Sequence, residues 1–211
     1  PTQDLLFQEG RVSNIRNPEG AVPFEEIASM AYDEALLPGG VTAGLDFSTT
    51  YTLPNSPYSF AAHAAVVEVS RDTGAVKILR YVGVHDCGVI INPMLVEGQV
   101  HGAIAQGIGQ ALLESMVYSP EGQPLSASLM DYALPRALDI PNLETDTFET
   151  PSPLNPLGIK GVGELPTVAA PVAVANAVMD ALWAKGVRHI DTPLTPEKIR
   201  NALQEQESIK R

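Results

Sequence analysis

Apolar and polar positions alternate with a period of two in the middle of the chain and with a helical period towards its end. The run from Ala61 to Val69 reads as a strand, and the run from Val76 to Val84 as its partner across Arg71-Asp72-Thr73-Gly74. In the second run Val76, Ile78 and Arg80 fall on one side, and Lys77, Leu79 and Tyr81 on the other. Nearer the start, Leu5–Gln8 and Arg11–Asn14 flank Glu9-Gly10, which predicts a small hairpin. Such a hairpin is too slight to stand alone and must lie on a larger body. Pro23 opens a helix over residues 24–36. Phe24, Ile27, Ala31 and Ala35 share its apolar face, acids at Glu25 and Glu26 suit its first turn, and Pro38-Gly39-Gly40 ends it. Residues 41–59 lack a clear period, although Thr49–Thr52 looks extended and Pro54–Pro57 looks like loop.

Asn92 followed by Pro93 is a helix cap with proline at the first helical position, and the helix runs to about Glu114. Gly98, Gly102, Ala105 and Gly109 make one stripe along it. Glycine costs up to about 1 kcal/mol in a helix interior, so the stripe needs a compensating contact. Close helix–sheet packing is the expected reason; a flat ligand against the backbone is the alternative. Gln99, Gln106 and Gln110 stand beside the stripe. Tyr118–Gln123 is a turn, Asp131–Arg136 follows an extended run, and Leu143–Thr150 is a strand within a stretch rich in Pro, Thr and Asn. Thr167 caps a helix over 168–185 with Val168, Val172, Ala175, Met179 and Leu182 as its apolar face and Gly186 just past its end. A last helix lies within 193–206, with Thr195 as cap and Pro196 at its first position. Hairpins and a mixed sheet packed with helices, without regular βαβ alternation, give an α+β fold in one domain over residues 1–211.

Of the 211 residues 45% are apolar, enough for a proper core, and the net charge is −12. That charge argues against a nucleic-acid partner, and no polybasic run suits an anionic membrane surface. No stretch reaches the roughly 18 to 20 apolar residues of a spanning helix, so no membrane span is expected. Cys87 is the one cysteine, which excludes an intrachain disulfide and fits a reducing, cytoplasmic setting. The first residues do not resemble a signal peptide, and the chain lacks an initiator Met. It is therefore expected to be a processed or excised piece of something longer.

The candidate chemistry centres on Gly158-Ile159-Lys160-Gly161-Val162-Gly163-Glu164. A loop bare of bulky side chains ends in one carboxylate where a helix begins, presenting an acid and open N–H groups to whatever binds there. Glu164 is the candidate general acid or base, with Lys160 placed to steady it or to bind an anionic group. A solvated turn carrying a surface Glu competes with that reading. His85 and Cys87 are two apart on an extended run and point the same way, but a buried, inert Cys is the better reading. The four histidines show no metal spacing with cysteine and are read as structural.

Several longer motifs carry a resemblance. Val84-His85-Asp86-Cys87-Gly88 through Asn92-Pro93, the run Val96–Gly109, Asp131–Arg136 and Asn155–Glu164 closely resemble the molybdenum-binding subunit of the xanthine dehydrogenase / aldehyde oxidase family. Their style is nearest to the large chain of aerobic carbon monoxide dehydrogenase and its homologues. The resemblance implies the C-terminal molybdenum-cofactor-binding domain of a molybdenum hydroxylase, with Glu164 as active-site base and Gln99 beside the cofactor. By proximity it puts Lys160, Gly161, Val162 and Gly163 on the pterin side. It further implies a molybdenum–molybdopterin cofactor, with the cytosine dinucleotide form as candidate variant, and FAD and 2Fe-2S centres on partner subunits. The implied partners are the remainder of the molybdenum subunit, iron–sulfur and flavin subunits and a small-molecule substrate, within an oligomer. The substrate itself, whether carbon monoxide, an aldehyde, a purine or another heterocycle, is left open. A full subunit of this family is several times longer, so the isolated piece is expected to be inactive. A non-catalytic assembly or interaction module that retained the fold is the alternative. An independent hydrolase is disfavoured, because no second carboxylate or nucleophile stands ready to help Glu164.

Overall fold

The computed structural model describes residues 2–209. Glu9 and Gly10 both take positive φ, 50° and 71°, as a two-residue hairpin turn demands. They join β1 (Leu5–Gln8) to β2 (Arg11–Asn14), the expected hairpin. A third antiparallel strand, β3 (Asn17–Pro23), pairs with β2 and was not legible, because Pro18 and Gly20 break a strand pattern. Phe7 and Phe24 stack edge to face at 5.5 Å and hold α1 (Phe24–Ala31) to the sheet. The helix stops at Ala31, short of the expected Leu36. The Asp33 carboxylate accepts from the Ala35 N–H at 3.0 Å, a local turn that competes with the helix. Residues 49–52 carry no strand. The chain divides after Thr52 into two compact units, and these elements form the first.

The second unit is built on a sheet ordered β4-β5-β6. β4 (Phe60–Val69) and β5 (Val76–Asp86) are antiparallel, as expected, and β6 (Leu143–Thr147) runs parallel to β5. The register slips so that Val66 faces Arg80 and Val67 faces Ile78. That bulge at Leu79 corrects the simple alternation. Ile78 and Tyr81 both enter the core, while Arg80 turns outward to a bidentate pair with Glu144 at 2.6 and 2.7 Å.

Two long helices cover the sheet. α2 (Pro93–Leu112) starts as expected, with the Asn92 side chain accepting from the Leu95 N–H. Its buried stripe is Val100, Ile104, Ile108 and Ala111. Of the glycine stripe Gly109 is buried, where a Cβ would collide with the Glu114 carboxylate and lie 2.9 Å from Pro135, and the other two glycines are open. A Cβ on Gly98 or Gly102 would meet nothing within 4 Å. The close contact with a second helix falls at Gly107, where a Cβ would lie 2.6 Å from that of Ala170. Ala170 belongs to α3 (Leu165–Trp183), which begins at Leu165 rather than Val168, with Glu164 at its cap position. Thr167 lies inside it and donates to the Ala103 carbonyl at 3.2 Å. The face turned to the core is Pro166, Ala170, Val174, Val178 and Leu182, while Val168 and Val172 are exposed. Ala, Val and Pro make up 12 of the 19 residues of α3 and spread over several faces, so periodicity chooses poorly between them and the fit of Ala170 into the Gly107 gap decides. α3 also corrects the membrane expectation: by length and composition it is apolar enough to cross a bilayer. Its packed face on α2 and β4 identifies it as a core helix. α4 (Pro196–Ile209) closes the unit through Ile199 and Leu203, with its Lys198 N–H on Thr195 Oγ1. The run before Asp131, expected to be extended, forms one bridge at Pro124 and then bend and turn.

A polar cluster sits within this interior. His63 Nδ1 lies 2.6 Å from the Tyr81 hydroxyl, and His63 Nε2 lies 2.8 Å from His85 Nε2. Burial, and then the neighbouring His85, bring His63 down to about 4, and burial lowers His85 as well. Both imidazoles are thus neutral at pH 7, as a structural role requires.

The Gly107 contact yields a contrast. Gly107→Ala is expected to lose about 1–3 kcal/mol to overpacking, whereas Gly102→Ala, with open space around it, is expected to gain up to about 1 kcal/mol of helix propensity. Urea denaturation of both variants reads the difference, and the opposite order would contradict the described packing.

Candidate functional site

The site grows from the end of β5. Asp86 closes that strand with its carboxylate inside the protein, where an unpaired charge is costly. Three donors answer it. Oδ1 accepts from the Gly88 N–H at 2.9 Å and the Thr150 N–H at 3.2 Å, and Oδ2 from Lys160 Nζ at 2.9 Å. The Asp86 and Lys160 side chains are only 11% and 6% exposed, so the pair is buried. Burial alone would raise the carboxyl, but Gly88, Lys160 and Thr150 more than offset it and hold it at about 2.

Backbone contacts then set the glycine loop against the turn after β5. Gly88 takes φ of 70° and bridges to Ile159, and a side chain there would collide with the Gly158 carbonyl. The Lys160 N–H donates to the Cys87 carbonyl at 2.8 Å, and the Val89 N–H to the Gly158 carbonyl at 3.1 Å. Asn155 clamps Ile159 from both sides: its Nδ2 donates to the Ile159 carbonyl, and its Oδ1 accepts from the Ile159 N–H. Beyond Lys160 the loop opens. Gly161 has free space where a Cβ would stand, and its carbonyl accepts from the Ser59 hydroxyl.

The structure brings most of the expected site residues together. A Cβ built on Gly163 would lie 3.6 Å from Gln99 Oε1, so the α2 glutamine and the loop are neighbours. Glu164 follows, exposed, at the cap position of α3 and with no side-chain capping bond. It lines an open cleft of about 530 Å³ with Tyr58, Ser59 and Gly161–Gly163. Gln99 lines an adjoining cleft of about 280 Å³ with Asn92, Lys160 and Val162. Val162 belongs to both, so Gln99 and Glu164 flank a single loop. Lys160 differs from expectation: its ammonium turns inward to Asp86 and lies 5.2 Å over the Phe60 ring, not towards Glu164. Asp86, Ser59 and Asn155 had no assigned role in the sequence. The one acid in β5, standing at its end, was the available signal for Asp86. Burial pushes the Cys87 thiol up, the wrong direction for a nucleophile.

The comparisons with known proteins fit this arrangement. The family described as molybdopterin cofactor-binding domain matches residues 1–141. The chain is 38% identical to the nicotine 6-hydroxylase large subunit of Paenarthrobacter nicotinovorans, over 95% of this chain and 25% of that protein. It is 40% identical to the carbon monoxide dehydrogenase large chain of Hydrogenophaga pseudoflava, over 85% of this chain and 22% of that one. Quinoline 2-oxidoreductase from Pseudomonas putida 86 shares the structure with a TM-score of 0.90 and 42% identity, over 97% of this chain and 26% of the solved chain. The chain thus spans about a quarter of the length of these relatives.

The Asp86 carboxyl sets a pH dependence. Its folded value lies below the usual carboxylate range, so its stabilisation is present above about pH 4 and lost as pH falls through 2. Wild type should lose about 2 kcal/mol over that window from this group, and Asp86→Asn should lack that component. Urea titrations at pH 5, 3.5 and 2 measure it; equal slopes for both proteins would refute it.

Proposed function

We propose a function from one premise: this chain belongs to the molybdopterin cofactor-binding domain family and is a portion of a molybdenum hydroxylase large subunit. Within that subunit Glu164 is the active-site base, and Gln99 with Gly161, Val162 and Gly163 lines the cofactor side. Lys160 contributes there through its backbone, since its ammonium is held by Asp86. The observation that carries the reading is the meeting of Gln99 and Gly163–Glu164 around one open loop.

The residues fit a large, flat, polar group. The loop has bare backbone at Gly161, α2 has bare backbone at Gly98 and Gly102, and an exposed amide stands between them at Gln99. When bound, molybdenum–molybdopterin supplies the two-electron redox chemistry. Gln99 offers both a donor and an acceptor to orient it. Glu164 takes up a proton at a carboxylate oxygen as the substrate carbon is hydroxylated. Its side chain makes no capping bond to α3 that would have to break first.

The finer assignments extend the same reading. The cofactor is the cytosine dinucleotide form, electrons leave through 2Fe-2S centres to FAD on partner subunits, and the complete enzyme is a cytoplasmic oligomer. The one cysteine, buried and unpaired by any disulfide, is consistent with that compartment. The substrate is a small molecule of the kind that names the relatives, such as carbon monoxide or an N-heterocycle. The piece described here is inactive without the remainder of the subunit.

Glu164→Gln in the complete enzyme keeps shape and removes the base. Turnover is expected to fall by about 10²–10⁴-fold, with molybdenum content per subunit unchanged by elemental analysis. Near-normal turnover at full loading would exclude Glu164 as base and favour a non-catalytic module.

A further inference from the structure

Resting on the reading of Glu164 as base, we propose that the buried Asp86–Lys160 pair is a positioning device that fixes Glu164 against Gln99. The Asp86 carboxylate ties the roots of both segments that carry them. Through the Gly88 N–H it holds the turn that leads on to Asn92 and α2, hence to Gln99. Through Lys160 Nζ it holds the strand-like stretch that leads to Glu164. The Thr150 N–H brings in the segment after β6, which supports the same turn through Glu149 Oε1 on the Ile90 N–H at 2.9 Å.

The loop needs such an anchor. Three residues separate Lys160 from Glu164, and two of them are glycines, which add no stiffness of their own. Downstream, α3 is docked firmly by Thr167 on the Ala103 carbonyl and by Ala170 at Gly107. Upstream, the last side-chain hold before the loop is Lys160 on Asp86. The base therefore hangs between one helix anchor and the ion pair, with the Ser59 hydroxyl also holding the Gly161 carbonyl between them. Buried ion pairs are poor net stabilisers, and specifying a unique geometry is their best-attested use. Neither side chain needs to touch a reacting atom, so both act through Glu164 and Gln99.

The test compares Asp86→Asn, Lys160→Met and Lys160→Arg with Glu164→Gln in the complete enzyme. A double variant, Asp86→Asn with Lys160→Met, leaves no buried charge unpaired and is read where a single variant fails to load molybdenum. Turnover per molybdenum is measured with carbon monoxide, quinoline, nicotine and hypoxanthine as probes. Amide hydrogen exchange is followed over the peptide Gly158–Leu165 and over α2. Loss of the pair is expected to lower kcat by about 10–100-fold with KM little changed, and to speed loop exchange about tenfold without altering α2. Lys160→Arg is expected to restore most of both. A pair that serves stability alone would lower Tm but leave kcat per molybdenum and loop exchange at wild-type values, and that result overturns the proposal. If Glu164→Gln retains turnover, the base reading fails on its own, while loop exchange still decides whether the pair holds the loop.

Discussion

A carboxylate placed inside a protein must be surrounded by donors, and in this chain that requirement falls on Asp86. Its three partners come from three separate stretches, at Gly88, Thr150 and Lys160, which lie up to 74 residues from it in sequence. Meeting the carboxylate brings those stretches together at one point. Removing one member of such a pair strands the other in a medium that cannot solvate it, at a cost of about 3–5 kcal/mol. The requirement is thus strict, and it makes the join between the sheet and the glycine loop reproducible rather than merely compact. The backbone bonds from Lys160 to Cys87 and from Val89 to Gly158 then follow along the same seam.

Two uses of glycine coexist here and serve opposite ends. At Gly88 and Gly107 the missing side chain admits a neighbour, the Gly158 carbonyl in one case and Ala170 in the other. At Gly98, Gly102 and Gly161 nothing fills the space. The first group sets distances inside the unit. The second leaves backbone uncovered on the side where Gln99 and Glu164 stand. A rigid interior beneath a bare surface suits a region that must hold a large group without moving.

The interior tolerates its polar atoms because they are grouped. Tyr81, His63 and His85 Nε2 are linked across the β4–β5 pair while His85 Nδ1 is left buried without a partner among the described residues, and burial keeps both imidazoles uncharged. Gly83 lies between them, and a Cβ there would approach the His85 ring to 2.9 Å. The β5 bulge is what turns Tyr81 to this side, three residues after Ile78. One local irregularity thereby links the apolar core near Ile78 to the polar cluster and, one residue past His85, to Asp86.

Local chemistry alone determined much of this chain. The Glu9-Gly10 turn, the β4–β5 pair, the Asn92 cap with Pro93 and the Thr195 cap all rest on preferences of a few adjacent residues, and each stands where the sequence places it. The Gly158–Glu164 motif likewise showed where an acid would meet a helix. What the sequence left open depended on partners distant along the chain. The buried face of α3 was hidden, because apolar residues spread over several of its faces and the gap at Gly107 selects among them. The glycine stripe of α2 looked like one packing face, yet its neighbours leave it open at Gly98 and Gly102 and close it at Gly109. Lys160 looked available to Glu164 until the fold delivered Asp86 from 74 positions away. Sequence fixes the bonds a residue can make with its neighbours; tertiary structure decides which distant group arrives first, because burial makes that choice costly to refuse.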